Sequence, residues 1–161
     1  MIAVAVGSNI RPVQNILRGL RMLDVEAPLV ACSPFWRTPP IGRPEQDPYV
    51  NGVVAVRTTL PPERLQGLLR RVEAACGRVR SEDRYAARTL DLDLVLYDDL
   101  VRAGPGLRLP DPDILARSFL AAGLLALAPG LVLPGGVRPE PPPPPGPVVP
   151  GLGMEAIRSR P

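Results

Sequence analysis

The chain has 161 residues and a mass of 17.3 kDa, the size of one domain with a substantial core. It contains neither lysine nor histidine, which excludes a histidine general base, a Ser-His-Asp triad, a histidine-ligated metal and a lysine-dependent phosphate loop. The net charge of +3 suits an anionic ligand but is too small to indicate nucleic acid.

The cysteines and the apolar segments bear on the compartment. Cys32 and Cys76 have no metal-binding spacing and form no disulfide framework, so we expect buried thiols in a reducing compartment. The longest apolar stretch, near Phe119 to Ala128, is too short to span a bilayer, and the first residues lack the basic region and cleavage site of a signal peptide. We therefore expect a cytoplasmic protein that does not bind membranes.

Hydrophobic periodicity predicts strand, helix, strand and strand in the first part of the chain. An apolar run at 2–6 predicts the first strand, and apolar residues at helical spacing between Val13 and Leu23 predict the first helix. Gly7-Ser8-Asn9 between them fits either a turn and helix cap or a phosphate cradle at the helix start. Segments 29–36 and 49–58 are the next predicted strands, and the long proline-rich loop between them is typical of a binding loop.

The second part continues with a helix, a strand and another helix. The first of these helices is predicted from Pro61 to about Cys76, with Thr59 as its cap. A strand ending near Tyr97 follows, and a further helix is predicted to end at Leu127. The order β-α-β-β-α-β is the ferredoxin-like split βαβ pattern. The predicted fold is therefore an α+β ferredoxin-like sandwich, with an antiparallel sheet backed by helices and an additional C-terminal helix.

Composition divides the chain near residue 133. Residues 1–133 carry the main predicted elements and form the predicted domain, whereas residues 134–161 are rich in proline and glycine. The consecutive prolines from Pro141 to Pro145 favour a stiff, extended segment. We expect this tail to be irregular or partly disordered, with a short helix near 154–158. Its use as a proline motif that docks a partner is the alternative.

Asp91 and Asp93 are unusual residues for a strand. Successive side chains of a strand point to opposite faces, so both carboxylates share one face and Leu90, Leu92 and Leu94 share the other. Aspartate is rare in strands, and two like charges this close disfavour ionisation of each other. Mg²⁺ between them would remove that cost and leave room for a polyphosphate. Two ordinary acids on a solvent-facing edge strand are the alternative.

Four arginines precede the acidic pair, namely Arg78, Arg80, Arg84 and Arg88. The guanidinium group binds phosphate oxygens through two parallel hydrogen bonds and stays charged at any working pH. Cations followed by metal-binding carboxylates are what a nucleoside triphosphate site needs. A solvated loop in an arginine-rich protein is the other interpretation.

Several motifs together resemble one enzyme family. In chain order they are Ala5-Val6-Gly7-Ser8-Asn9, Thr38-Pro39-Pro40-Ile41-Gly42, Tyr49-x-Asn51, Glu73-x-x-x-Gly77-Arg78-x-Arg80 and Arg88-Thr89-Leu90-Asp91-Leu92-Asp93. In this order and spacing they resemble the 6-hydroxymethyl-7,8-dihydropterin pyrophosphokinases of folate synthesis, over residues 1 to about 133. The run from arginine to aspartate is the most specific part.

The resemblance implies an ATP-dependent diphosphotransferase. Members of that family transfer a pyrophosphoryl group from ATP to the pterin hydroxymethyl group and release AMP, with two Mg²⁺ ions. By position, Asp91 and Asp93 are implied to be the metal ligands. Arg78 and Arg88 are implied to be catalytic, because they would hold the phosphates and stabilise transition-state charge. Such a site acts by positioning and electrostatics, so it needs no histidine base.

The resemblance also implies contacts for both substrates. The pterin would lie between the rings of Tyr49 and Phe119, with Asn51 at its polar edge, although core packing of the two rings is the alternative. The other implied pterin contacts are Thr38, Pro40 and Ile41. The implied ATP contacts are Glu73, Arg80, Leu94 (through its backbone), Arg108 and Arg117.

The chain departs from the family pattern at several positions. Asp111-Pro112 stands where members usually have a histidine followed by an aromatic residue or proline. An ionised Asp111 cannot donate to phosphate, so we expect either weaker ATP binding or a purely structural loop. Tyr85 stands where many members have tryptophan, Ala86-Ala87 replaces Gly-Pro, and Ser81 replaces a residue that is often basic.

Two other functions stay open at this point. The first is a non-catalytic module that binds RNA or nucleotides through its arginines, although carboxylates on the central strand argue against it. The second is a different metal-dependent nucleotidyl or phosphoryl transferase. The expected partners are ATP and the pterin, without nucleic acid, and at most a weak contact with other enzymes of the folate pathway.

Overall fold

The computed structural model describes residues 1–79, 82, 83 and 85–159. The protein is α+β, with an antiparallel main sheet and helices, which confirms the prediction at that level. In chain order the elements are β1 (Ile2–Ser8), α1 (Pro12–Glu26), β2 (Leu29–Cys32), β3 (Trp36–Thr38), β4 (Tyr49–Val56), α2 (Pro62–Ala75), β5 (Asp91–Tyr97), β6 (Arg102–Gly104), β7 (Leu107–Leu109), a 3₁₀ turn (Pro112–Ile114), α3 (Ser118–Leu127) and α4 (Met154–Arg158). None of the helices in the described part of the chain has the length and apolar content of a membrane span.

The main sheet is centred on β1 and β4. Its strand order is β2-β4-β1-β5, with β3 also paired to β4, and β6 and β7 form a separate hairpin. All pairings within the main sheet are antiparallel. All residues of β1 are buried, as expected of a strand that is covered on both faces. This central strand carries the small residues above which the functional site lies.

Side chains of β1 alternate between two apolar cores. Val4 and Val6 belong to the larger core, which also contains the buried faces of α1 and α2. Ala3 and Ala5 belong to the smaller core, which contains Leu120 of α3. Helices α1 and α2 therefore cover one face of the sheet, and α3 covers part of the other.

The predicted strand at 29–36 is two strands rather than one. Between β2 and β3 the chain turns at Ser33-Pro34-Phe35, and proline cannot donate to a strand ladder. Ser33 Oγ instead accepts from Val53 N at 2.9 Å, while the Phe35 ring packs on Gly52, where a Cβ atom would lie 2.7 Å from the ring. The kink brings Thr38 alongside Tyr49 at the start of β4.

Both predicted helix caps are wrong. The cap position of α1 is Arg11, which has a positive φ and no side-chain cap hydrogen bond, so Gly7-Ser8-Asn9 does not cap this helix. The cap position of α2 is Pro61, two residues after the predicted cap Thr59, and the helix begins at Pro62, one residue later than predicted. Thr58 Oγ1 accepts from Leu60 N at 3.1 Å and forms a turn before the helix. These shifts leave the packing of both helices as predicted.

The described part of the tail packs on the domain. It is irregular up to α4, which lies where the short helix was predicted, apart from a single bridge between Val148 and Trp36. Leu152 and Ile157 are buried in the larger core. The tail is thus attached to the sheet and helices by its apolar residues.

Candidate active site

A cavity of about 600 Å³ opens on the α3 side of the main sheet. Residues of β1, β4 and β5 form its floor, and the loops after β3 and before β5 and the segment preceding α3 form its walls. A volume of this size suits a small-molecule ligand. Of the predicted site residues, those that line it are Thr38, Ile41, Tyr49, Asn51, Arg88, Asp91, Asp93, Arg117 and Phe119.

Strand β5 places its two aspartates on the cavity face, as the sequence alternation predicted. Asp91 and Asp93 line the cavity, while Leu92 between them is buried in the larger core. On the neighbouring strand, Gly7 lies opposite Asp91 and Ala5 lies opposite Asp93. Because these neighbours are small, both carboxylates remain accessible to a ligand in the cavity.

Two arginines contact the first of these carboxylates. Arg88 Nη1 donates to Asp91 Oδ2, and Arg78 Nη2 lies 3.5 Å from Asp91 Oδ1. Burial alone would lower the pKa of Arg88, but the charge and hydrogen bond of Asp91 act in the opposite direction, and the pKa lies above its ordinary value. The guanidinium therefore stays charged at the cavity wall. The arginines predicted to bind phosphate and the first predicted metal ligand form one cluster.

Arg78 has donors that no described residue satisfies. Its side chain is only 13% exposed, and its Nε and Nη1 atoms are buried without a hydrogen-bond partner among the described residues. Buried donors without acceptors are costly. Arg78 does not line the cavity itself but contacts Asp91, which does. Phosphate oxygens bound beside Asp91 are acceptors of the type that this guanidinium lacks.

The Asp93 carboxylate is unfavourably placed for a negative charge. It is exposed to the cavity, but the surrounding protein displaces most of the bulk water and so raises the pKa. The nearby carboxylates of Asp91, Glu73 and Asp111 raise it further, and Arg88 offsets only part of this effect, so the pKa of Asp93 rises to about 7. A bound cation would favour the ionised form.

The raised pKa of Asp93 makes the stability of the ligand-free protein depend on pH. The folded protein binds the Asp93 proton more tightly than the unfolded chain does. Protonation of Asp93 therefore contributes fully to the free energy of unfolding below about pH 4, and this contribution is lost as pH rises through about 7. We expect the urea midpoint of the wild type in EDTA to fall, between about pH 5 and about pH 8, relative to that of Asp93→Asn. Asp99→Asn, at an exposed turn, should follow the wild type. Identical pH profiles for all three proteins would contradict this assignment.

The donor set on β5 fits Mg²⁺, which prefers carboxylate and phosphate oxygens. Among the described residues no group of three or more metal-ligating side chains converges. The protein would therefore supply the carboxylates of Asp91 and Asp93 and leave the other coordination positions to phosphate and water. The crowding of negative charge around Asp93 is the local cost that a cation would relieve.

A second part of the cavity lining, called the aromatic wall here, combines two aromatic rings with polar groups. Tyr49 from β4 and Phe119 from α3 both line it. Asn51 Nδ2 donates to Thr38 Oγ1 at 2.7 Å, which fixes the orientation of the amide. A Cβ atom at Gly7 would lie 2.5 Å from Asn51 Oδ1, so only glycine leaves room for this side chain. This wall can therefore take a flat heterocycle with donors and acceptors at its edge.

Four other predicted contacts do not line the cavity. Pro40 lies within the loop after β3, and Arg108 lies on β7. The Leu94 side chain is buried in the larger core, so only its backbone could meet a ligand, as predicted. The fourth is Glu73, which lies below β5. Arg80 lies outside the described residues.

Glu73 is a buried acid that holds the acidic strand. It is 2% exposed, and its Oε1 atom accepts from Leu92 N at 2.8 Å. Helix α2 thus fixes the backbone of β5 between the two aspartates. The assignment of Glu73 as an ATP contact stays a prediction.

Removing the Glu73 carboxylate should destabilise the protein. Glu73→Ala leaves the buried Leu92 N–H without its acceptor, so we expect the unfolding free energy to fall by about 1–3 kcal/mol in urea titrations. Glu73→Gln keeps an acceptor oxygen and should lose less. Glu140→Ala, at an exposed position, is the control. Weaker ATP binding at unchanged stability would instead support a direct nucleotide contact.

Sequence reasoning did not predict the contacts of Asn9, which joins two loops. Asn9 is buried; its Oδ1 accepts from Arg88 N at 2.7 Å, and its Nδ2 donates to Gln46 Oε1 at 3.1 Å and to Asp47 O at 3.3 Å. Gln46 Nε2 donates in turn to Tyr85 O at 2.9 Å. Gly7 and Ser8 lie within β1, so the turn begins only at Asn9, and the Asn9 side chain bonds protein groups. A polar residue directly after a buried strand was the available signal.

Asp111 has a structural partner. Its Oδ1 accepts from Asp113 N at 2.8 Å, which caps the 3₁₀ turn, and its backbone N–H donates to Val95 O at 2.9 Å. Burial raises the pKa of Asp111. Aspartate at this position is thus explained by a cap on the segment that leads into α3, and it favours the structural-loop interpretation.

Comparisons with known proteins identify relatives of this chain. Residues 3–129 match the family model described as 7,8-dihydro-6-hydroxymethylpterin-pyrophosphokinase (HPPK). The chain is 40% identical over 136 residues to a 2-amino-4-hydroxy-6-hydroxymethyldihydropteridine pyrophosphokinase of Pseudomonas aeruginosa, covering 83% of each protein. It is 37% identical over 134 residues to the protein of the same name from Haemophilus influenzae, covering 81% of this chain and 83% of that one.

A longer relative matches as well. The chain is 34% identical over 118 residues to the folic acid synthesis protein fol1 of Schizosaccharomyces pombe, covering 73% of this chain and 15% of that protein. The matched family region contains both aspartates of β5, the arginines before them and the aromatic rings of the opposite wall. The chain belongs to the 7,8-dihydro-6-hydroxymethylpterin-pyrophosphokinase family.

Proposed function

We propose that this chain transfers a pyrophosphoryl group from ATP to the hydroxymethyl group of 6-hydroxymethyl-7,8-dihydropterin, a step of folate biosynthesis that releases AMP. As a member of its family it is an ATP-dependent diphosphotransferase. The observation that carries the proposal is that one cavity is lined both by the two carboxylates with Arg88 and by two aromatic rings with an amide. One wall suits a metal-bound polyphosphate and the other suits a pterin.

The acidic pair and the arginines are proposed to act on the phosphates. Asp91 and Asp93 would hold Mg²⁺, two ions by the family pattern, and these supply charge neutralisation of the triphosphate. Arg88 at the cavity wall would stabilise the charge that develops on the transferred group, and Arg78 would donate its unpaired N–H groups to phosphate oxygens.

The reaction balances without a protein base. The pterin hydroxyl oxygen forms a bond to the β-phosphorus, the bond from that phosphorus to the oxygen bridging the α-phosphorus breaks, and the bridging oxygen leaves with AMP. The hydroxyl proton passes to solvent. Charge stabilisation and alignment therefore account for the catalysis, as in other phosphoryl transfers.

The aromatic wall is proposed to bind the acceptor. Tyr49 and Phe119 would stack on the two faces of the pterin, and Asn51 would bond its donor and acceptor edge, with Thr38 orienting that amide. Pro40 and Ile41 are proposed to contact the pterin from the loop after β3. The remaining proposed ATP contacts are Glu73, Arg80, Leu94, Arg108 and Arg117.

We also propose the ferredoxin-like arrangement for the fold. The strand order β2-β4-β1-β5, with α1 and α2 on one face, supports it. Residues 1–133 are the proposed catalytic domain, with residues 134–161 attached to it. We propose a cytoplasmic enzyme that binds neither nucleic acid nor membranes and at most weakly contacts other folate-pathway enzymes, in keeping with the free thiols of Cys32 and Cys76.

An AMP-release assay tests the proposal. The full chain is incubated with MgATP, with and without 6-hydroxymethyl-7,8-dihydropterin, and AMP and the pterin diphosphate are separated and counted. We expect the two products in equal amounts, only when both substrates are present. AMP release that does not depend on the pterin, or no AMP release from a folded protein that binds ATP, would refute the proposed acceptor.

A further inference from the structure

The tail forms an additional edge of the sheet next to the cavity. Arg37 N donates to Pro147 O at 2.9 Å, and Val149 N donates to Phe35 O at 2.8 Å. Trp36 and Val148 form the antiparallel bridge between these two bonds. Residues 145–149 are called the strap here. The strap pairs with one edge of β3, while the other edge of β3 pairs with β4.

The strap lies so close to β3 that one position excludes a side chain. Gly146 has a φ of +153°, and a Cβ atom at this position would lie 2.0 Å from Arg37 O. Any larger residue must push the strap and β3 apart, because the atom that it meets belongs to the backbone. The glycine between two prolines thus sets the distance between strap and strand.

The chain after the strap is anchored independently. Leu152 and Ile157 are buried in the larger core. The Arg21 side chain on α1 donates to the carbonyl oxygens of Ala156, Ile157 and Ser159 at 2.7–3.0 Å. The strap is therefore held between a buried anchor and β3, and it cannot drift away from the sheet without breaking these contacts.

The strand that the strap supports, β3, leads into the part of the cavity that is proposed to bind the pterin. β3 has only the residues Trp36–Thr38, and a strand this short is weakly held by one partner. Thr38 at its end accepts from Asn51 Nδ2, and Pro39 directly after it lines the cavity. Pro145, the first residue of the strap, lines the same cavity. In the described part of the chain, the backbone hydrogen bonds of the strap link it to Phe35 and Arg37, within and directly before β3.

We propose that the strap is a positioning element for the acceptor, which fixes β3 and so sets the pterin wall of the cavity without acting on the nucleotide. The inference builds on the proposed function, since it assumes that the wall of Thr38 and Asn51 binds the pterin. Displacement of a substrate-positioning group by about 1 Å can cost up to about 10²-fold in rate.

Gly146→Ala tests the strap, with Gly153→Ala as the matched control. Both lie in the tail, but a Cβ atom at Gly153 meets nothing within 4 Å. We expect Gly146→Ala to raise the KM for the pterin about tenfold or more and to leave the KM for ATP within about twofold of the wild-type value. We expect both KM values of Gly153→Ala to equal those of the wild type. Calorimetry with the pterin and with a non-hydrolysable ATP analogue should show the same division.

A second variant covers a failure of Gly146→Ala to fold. Val149→Pro removes the N–H that donates to Phe35 O without introducing the clash, and it should show a smaller shift of the same kind. A comparable rise in both KM values, or no change in either variant, would overturn the proposal. An inactive but folded wild type would instead refute the proposed function, so the two failures are distinguishable.

Discussion

Replacing Asp93 by alanine is expected to lower pterin-dependent AMP formation roughly 10³-fold or more, because metal assistance supplies several kcal/mol of transition-state stabilisation. Asp93 lines the cavity, and its raised pKa means that the ionised carboxylate is disfavoured in the folded protein. Removing this carboxylate should therefore not destabilise the fold. The variant should remain folded, with an unchanged circular dichroism spectrum and a urea midpoint at about pH 8 no lower than that of the wild type. Initial rates of AMP formation at saturating MgATP give the measurement.

The matched control is Asp99→Ala, which removes an exposed carboxylate from the turn after β5. It should keep wild-type activity. The same pair of variants separates an enzyme from a module that binds RNA through arginines, because loss of Asp93 would strengthen or preserve simple phosphate binding. Wild-type turnover in Asp93→Ala would contradict the assignment of this residue as a metal ligand.

Replacing Arg88 by alanine is expected to lower kcat about 10³-fold, with a smaller effect on ATP binding. Arginines that stabilise transferred phosphoryl groups contribute about this much or more. The contacts of Asn9 with residue 88 involve its backbone N–H and C=O and are kept in the variant, whereas the side-chain contact with Asp91 is lost. Pre-steady-state single turnover with excess enzyme would measure the chemical step directly.

Arg88→Lys separates the contribution of the positive charge from that of the planar guanidinium group. Lysine keeps the charge but not the planar fork, so it should recover only part of the lost rate. Arg57→Ala removes an exposed arginine just after β4 and should behave like the wild type. If Arg88→Ala raised only the KM for ATP and left the single-turnover rate intact, Arg88 would be a binding residue and not a catalytic one.

The strands and helices were predictable where the hydrophobic residues followed a single period, either that of a strand or that of a helix. The alternation around Asp91 and Asp93 gave the face of each residue correctly, because the period of a strand allows only two arrangements. The amphipathic stripes of α1 and α2 were likewise sufficient to locate both helices. Pro34 was a sequence signal for the break after β2, but the geometry of the kink depends on Ser33, which accepts from Val53 of the distant strand β4.

Most of the residues that line the cavity were predictable, whereas the contacts that support them were not. Thr38 and Asn51 belong to motifs that carried the family resemblance, Phe119 was implied by that resemblance, and all three line the cavity. Asn9 and Glu73 act on the backbone of other segments, and such partners depend on how those segments meet in three dimensions. The tail contacts were missed for the same reason, since composition alone indicated only irregular structure.

The two faces of β5 have a consequence for how the length of this chain can vary. An insertion or deletion of one residue within the strand would exchange its faces, turning the carboxylates into the larger core and the leucines into the cavity. The bulge in the pairing of β1 with β5, opposite Ala3 and Val4, comes after Asp93 and so leaves the acidic pair in register. Changes in length are therefore confined to the loops on either side of the strand.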